Sequence, residues 1–208
     1  MVEGLRERKK RATRRAISDA ATELFMTNGF DNTSVADVAE VVGMSPQTVL
    51  NYFPAKTDLF FDEESWSEGP PQAVRDGCRD KSPGEAVLDW YLADLQRRHH
   101  EGHLDGLAIY LHAIADSAAL RRRRLDDLAA LTGALRAALE DTSPHRVPWD
   151  APLTAAILTS AIMVSESETA RLSRVLAGAD LLEAGQAAAT AIFVRTFESV
   201  SPAEPTAR

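Results

Sequence analysis

Apolar positions recur along this chain at intervals of three and four, the period of a helix with one buried face, and no strand-length run alternates. Ile17, Ala20, Ala21, Leu24 and Phe25 predict a first helix over about residues 9–28, stopped by Gly29. Val35, Val38, Ala39 and Val42 mark a second. Ser34 opens it, with Asp37 at the spacing of a capping box, and Gly43 closes it. Ser45 and Pro46 start a third helix, whose apolar face is Val49, Tyr52 and Phe53 and whose end is Pro54. A fourth is expected from Lys56 to about Ser67, ended by a break at Gly69-Pro70-Pro71. Its Leu59, Phe60 and Trp66 would tie the N-terminal part to the rest, making it the one continuous link between them.

Beyond that break the pattern stays helical. Ser82-Pro83-Gly84-Glu85 joins a capping box to a proline at the first helical position and predicts a helix over about 83–100. Further helices are expected over about 104–115 and 117–141, the latter with the stripe Leu128, Leu131, Leu135 and Leu139. Two more follow over about 152–177 and 180–199, the last opened by Asp180 with Glu183. The fold class is therefore all-α, with about nine helices and no internal repeat. The expected division is residues 1–56 (basic arm and small helical domain), 57–200 (larger helical domain) and 201–208 (a disordered tail).

Residues 33–59 carry the strongest functional signal. Helix, glycine turn and helix form a helix-turn-helix unit, whose second helix enters the DNA major groove. The segment closely resembles the N-terminal domain of the TetR family of transcriptional regulators. The resembling residues are Phe25, Gly29-Phe30, Thr33-Ser34-Val35, Val38-Ala39, Gly43-Met44-Ser45, Thr48-Val49, and Tyr52-Phe53-Pro54-Ala55-Lys56 with Leu59. The likeness covers roughly residues 12–60.

On the third helix, Pro46, Gln47, Thr48, Leu50 and Asn51 lie away from the apolar face. Gln47 and Asn51 carry amides able to pair with adenine N6 and N7, and Leu50 can touch a thymine methyl. Leu50 stands where the family often has tyrosine, so operator sequences of relatives do not transfer. By family position Thr33, Ser34, Ser45, Tyr52 and Lys56 are phosphate contacts; Ser34 and Ser45 also serve as helix caps. The resemblance further implies a homodimer paired through the last two helices, a palindromic double-stranded DNA operator, and a small-molecule effector bound by the larger domain. Ala155, Ala156, Ser160 and Ala161, then Ala184, Gly185, Ala187, Ala188, Ala189 and Ala191, fit such close helix pairing.

The net charge of −8 looks wrong for a DNA binder until it is divided along the chain. The first 18 residues hold seven basic side chains (Arg6, Arg8, Lys9, Lys10, Arg11, Arg14, Arg15) against Glu3 and Glu7, so the acid excess lies entirely beyond them. Exposed charges act only within about 8–10 Å. A basic arm on an acidic body therefore suits phosphate contact without general adhesion.

Trp90, Tyr91, Tyr110 and Trp149 are candidate ligand-binding aromatics, with core packing as the alternative for each. His99, His100, His103 and His112 raise metal sensing, but no second cluster completes a site, and neither a metal nor a cofactor is expected. Arg121 to Arg124 reads as a solvated face paired with Asp126 and Asp127, or as a seat for an anionic ligand such as an acyl-CoA phosphate. Ser165-Glu166-Ser167-Glu168 reads as a solvated or rim face.

An enzyme is not indicated: there is no phosphate-cradling glycine loop, no HExxH helix and no serine elbow. No apolar run reaches membrane-spanning length and no secretory signal follows the charged N-terminus. The single cysteine, Cys78, fits a reducing cytoplasm. The function expected is a ligand-responsive repressor. The alternatives are an activator, an acyl-CoA- or metal-sensing variant, or a helical interaction protein that does not bind DNA. Arginine far outnumbers lysine, the bias of a GC-rich bacterial genome.

Overall fold

The computed structural model describes residues 4–62, 65–78, 80–142 and 150–198. Trp149, the loop before it and the tail 201–208 lie outside the described residues. Among those described the chain is entirely helical. The helices are α1 (Leu5–Asn28), α2 (Val35–Val41), α3 (Pro46–Tyr52), α4 (Lys56–Phe60), α5 (Ser65–Gly77), α6 (Pro83–His100), α7 (Leu107–Asp116), α8 (Ala118–Thr142), α9 (Ala151–Leu172) and α10 (Gly178–Glu198). A 3-10 turn at Leu104–Gly106 precedes α7.

The chain divides into two units. The first is Met1–Glu64 with Ala113–Arg123; the second is Ser65–His112 with Arg124–Arg208. The first turns of α8 thus belong to the first unit and its remainder to the second. The expected single link through the fourth helix is accordingly not the only place where the chain passes between them.

In the first unit, Ile17, Ala21, Val38, Val49, Phe53 and Leu59 are buried from α1 through α4. Phe25, Phe30 and Phe60 form a ring cluster with centroids 5.1 to 6.0 Å apart, joining α1, the loop after it and α4. The junction of α7 and α8 is tied in by polar contacts: the Ser117 hydroxyl between them donates to Asp31 at 2.8 Å, and Arg123 of α8 pairs with Asp58. Asp58 also accepts from the Ala55 N–H at 2.8 Å, so it caps α4 as well.

The second unit is built on one apolar core. Val87, Tyr91 and Leu95 of α6 meet Leu128, Leu131, Leu135 and Leu139 of α8, Leu158 and Ile162 of α9, and Leu181 and Phe193 of α10. Glycines set the closest approaches. A Cβ on Gly84 would stand 2.8 Å from the Phe197 ring.

Gly69-Pro70-Pro71 does not break the chain. These residues lie inside α5, with both prolines buried. A proline within a helix removes a hydrogen bond to the carbonyl four residues back. Here both sit in the second turn of α5, a helix that packs on α6. A Cβ on Gly69 would come within 2.1 Å of the Trp90 indole, so only glycine lets that ring lie against the α5 backbone. The fourth helix ends earlier than expected: α4 is a single short turn that stops at Phe60, with Phe61 as its C-cap.

The Ser165–Glu168 run also departs from its expected solvated face. Ser165 is fully buried and Glu166 is 3% exposed, its carboxylate paired with Arg124. Glu168 pairs with Arg171 on the surface side. The two small-residue stripes divide in the same way. Ala155, Ala161, Gly185 and Ala189 face the core, whereas Ala156, Ser160, Ala187 and Ala191 are exposed.

Candidate nucleic-acid interface

The helix-turn-helix is built by local hydrogen bonds that its own residues supply. The Ser34 N–H donates to Asp37 Oδ2 at 2.7 Å, and Ser34 Oγ accepts from the Asp37 N–H at 3.1 Å. The bond from the Ser34 amide holds the Asp37 carboxyl below its ordinary value. A carboxyl depressed by folding adds stability above its ordinary pKa, and that stability is lost as pH falls through the folded value. Asp37→Asn should therefore be less stable than the native chain at neutral pH and converge on it in acid, as urea melts across that range will read.

α2 ends in a glycine in the left-handed region, Gly43 with φ 65°. The Met44 N–H reaches the Ala39 carbonyl at 2.8 Å, which closes the turn. Ser45 then caps α3: its Oγ accepts from the Thr48 N–H at 3.1 Å and meets the Thr48 hydroxyl at 2.8 Å. Pro46 occupies the first helical position.

Seven residues make a helix too short to stand alone. α3 is held from beneath by Val49 and Phe53, both fully buried. That anchoring decides what faces outward. Ser45, Pro46, Gln47 and Asn51 are exposed, and Thr48, Leu50 and Tyr52 are half-buried. Gln47 Nε2 lies 3.3 Å from Asn51 Oδ1, so the two amides are presented together, one turn apart.

Lys56 is half-buried, its ammonium 4.2 Å above the Phe30 ring. Desolvation lowers its pKa, while Asp31 and Asp37 pull it back up. Ser34 is exposed beside these groups in sequence. Thr33 differs from the other expected phosphate contacts. It is 2% exposed, and its hydroxyl donates to the Gly29 carbonyl at 3.0 Å. That hydroxyl closes the end of α1 and has no face left for a phosphate.

The basic arm is helical from Leu5 onward, four residues earlier than the periodicity suggests. Arg6, Arg8, Lys9, Lys10, Arg11 and Arg15 are exposed along it. Arg14 is turned inward, donating to the Tyr52 carbonyl at 2.9 Å and pairing with Asp62.

The family model described as bacterial regulatory proteins, tetR family, matches residues 17–62, the span from the middle of α1 to the end of this motif. The HTH-type transcriptional regulator TcmR of Streptomyces glaucescens is 28% identical over 182 residues, covering 86% of this chain and 66% of that protein. Residues 17–62 carry the sequence pattern of the TetR family. The chain spans just under two thirds of the length of that curated relative.

Several solved structures share its fold. NalD, the secondary repressor of the MexAB-OprM multidrug efflux pump in Pseudomonas aeruginosa, superposes with a TM-score of 0.62 at 19% identity, over 91% of this chain and 96% of that one. FadR of Thermus thermophilus, a repressor in complex with lauroyl-CoA, does so with a TM-score of 0.56 at 21% identity, over 94% and 98%. The SmeT–triclosan complex gives 0.60 at 16% identity, over 88% and 91%. The matching family model is one of bacterial regulatory proteins, and the helix-turn-helix described above lies within the residues it matches.

Of the candidate ligand aromatics, Trp90, Tyr91 and Tyr110 fall in the second unit, and Trp149 lies outside the described residues. Tyr91 is buried in the core, hydrogen-bonded to Thr169, and burial pushes its hydroxyl pKa up. Trp90 is half-buried against Gly69. Tyr110 is half-buried on α7. Arg121 donates to the Ala115 carbonyl, so the arginine block is drawn into internal contacts at Arg121, Arg123 and Arg124. Among the described residues no group of three or more His, Cys, Asp or Glu could hold a metal, and no helix is long and apolar enough to cross a membrane. Burial raises the pKa of the half-buried Cys78 thiol, which disfavours the reactive thiolate. Sequence reasoning missed Arg14 and the Asp31–Ser117 bond, because both join residues far apart in the chain.

Proposed function

We propose that this chain is a cytoplasmic, ligand-responsive repressor that grips an inverted-repeat operator as a homodimer and releases it when a small molecule enters the second unit. The observation that carries the DNA reading is the outward face of α3. Gln47 and Asn51 are exposed and hydrogen-bonded to each other, on a helix whose opposite side is clamped by Val49 and Phe53. Paired amides suit adenine, and Leu50 beside them suits a thymine methyl. Pro46 and Thr48 flank that reading edge. Ser34, Ser45, Tyr52 and Lys56 are the phosphate contacts in this reading.

A symmetric dimer requires half-sites one helical turn or a multiple apart. The partner surface proposed is the outer face of α9 and α10. Leu153, Met163, Val164 and Val194 are 39% to 54% exposed there. They adjoin an open groove of about 270 Å³ lined by Ala156, Ile157, Ser160, Val164, Ile192 and Thr196. Exposed apolar side chains gathered on one helix pair are the mark of an interaction surface. A second copy, related by a twofold axis, is the partner in this reading.

The effector site is proposed for the second unit, and the effector is a small molecule with an apolar body. Proteins of the same fold are bound to lauroyl-CoA in Thermus FadR and to triclosan in SmeT. Trp90 and Tyr110 are the candidate aromatics left partly uncovered. An effector acts only through a preference for one of two arrangements.

The test is selection of duplexes from a random 40-base-pair pool. The native chain should recover an inverted repeat. Gln47→Ala should change the base preference at one position per half-site, worth about 1–3 kcal/mol. Lys56→Ala should weaken all sequences alike and flatten the salt slope by about one phosphate contact. Recovery of no duplex by the native chain would refute the reading. Mass spectrometry of what leaves the natively purified protein on denaturation identifies the effector.

A further inference from the structure

We propose that Arg14 is a positioning residue for the recognition helix: a three-point bolt that fixes α3 against α1, and not one of the phosphate contacts of the basic arm. The inference rests on the DNA-binding reading above.

The end of α3 presents a local problem. Its last carbonyls have no donor further along the helix, because Phe53 is already extended and Pro54 has no N–H. Arg14 reaches across from α1, 38 residues away in sequence, and donates from Nη1 to the Tyr52 carbonyl at 2.9 Å. Its other terminal nitrogen pairs with Asp62, in the segment just after α4. The guanidinium plane lies over Phe53 with its carbon 4.2 Å from the ring centroid.

These three contacts use the properties that separate arginine from lysine: a planar fork with donors in fixed directions and a face that stacks on an aromatic ring. Phe53 is fully buried, so the stacking surface cannot shift. The Tyr52 carbonyl belongs to the helix whose other turns carry Gln47 and Asn51. A rotation of α3 by a few degrees would move those amides off the base edges, since direct readout depends on paired hydrogen bonds. Arg14 is also only about one third exposed, with both ends of its fork occupied inside the unit. Its neighbour Arg15 has a side chain 85% exposed and lies 3.9 Å from Asp19.

The experiment takes a duplex selected by the native chain and a mixed-sequence duplex, and measures both affinities against salt for Arg14→Lys, Arg14→Ala and Asp62→Asn. Circular dichroism sets a working temperature at which every variant used is fully folded. Arg14→Lys keeps the charge and loses the fork. It should weaken the selected duplex by at least about tenfold, the size of a lost charge-assisted hydrogen bond. The salt slope and the mixed-sequence affinity should stay native, so the specificity ratio falls. Arg14→Ala should show the same slope. Asp62→Asn should weaken the selected duplex in the same sense and less, and it carries the test if neither Arg14 variant folds.

Native affinity in Arg14→Lys, together with a slope lowered by about one in Arg14→Ala, would make Arg14 a phosphate contact and overturn the proposal. Native specificity in folded Arg14→Lys and Asp62→Asn alike would reduce it to a stabilising contact and overturn it too. If the native chain selects no duplex, the DNA-binding reading falls first and this inference falls with it.

Discussion

Glu166→Ala should destabilise the second unit by about 3–5 kcal/mol, measured by urea unfolding, because it breaks a buried ion pair from one side. The Arg124 and Glu166 side chains are 12% and 4% exposed, and they pair with each other between α8 and α9. Removing the carboxylate takes from the guanidinium the partner that offsets much of its desolvation. Removing both charges is a different experiment. A buried ion pair seldom contributes much against well-packed apolar residues of similar volume, so Arg124→Met with Glu166→Leu should recover most of the lost stability. A single substitution costing under about 1 kcal/mol would mean that the pair behaves as a surface pair does. The fully buried Ser165 hydroxyl next to it in sequence has no hydrogen-bond partner, which makes this stretch of α9 sensitive to any further loss of polar contact.

The misreading of that stretch shows what a linear pattern can and cannot carry. Four polar residues in a row, Ser165 to Glu168, look like solvent. Two of them are not, because Glu166 is satisfied by an arginine 42 positions away. Arg14 hides for the same reason: its partners lie 38 and 48 residues downstream. Contacts of that range leave no periodic trace.

Features closed within four or five residues were legible at once. The capping boxes at Ser34 and Ser82 depend only on residues three apart, and both are formed. The Gly43 turn and the Pro46 start of α3 are just as local. The leucine stripe of α8 was legible because a single buried face must repeat with the helix. Gly69-Pro70-Pro71 shows the limit of local rules. The strongest punctuation in the chain is overridden by the fit of Gly69 to the Trp90 indole, a tertiary contact no dipeptide rule contains. Site residues divide along the same line. The outward face of α3 follows from which positions are apolar. The loss of Thr33 as a phosphate donor follows only from the Gly29 carbonyl it meets.

Val164→Asp should convert the protein to a monomer in sedimentation velocity and lower its affinity for a selected inverted repeat by about a hundredfold or more. The argument begins from exposure. Val164 is 53% exposed in the single chain, so an aspartate there is solvated in the monomer and should barely change its folding. In a twofold pair formed through α9 and α10 the same position borders the groove with Ser160 and Ile192, and an unpaired carboxylate would be desolvated. The symmetry doubles the penalty, since each copy contributes one charge close to the other. Loss of the pair removes the second half-site contact, and linked binding events commonly contribute a factor of about 10²–10⁴.

The control is Val175→Asp. Val175 is 76% exposed, in the turn after α9, and does not line that groove, so the dimer and its DNA affinity should survive. A Val164→Asp chain that stayed dimeric would move the interface elsewhere. A monomeric chain with native operator affinity would separate DNA binding from pairing altogether. The groove-facing substitution should also leave the Gln47 base preference intact in whatever binding remains, because the outward face of α3 is set within the first unit by Val49 and Phe53.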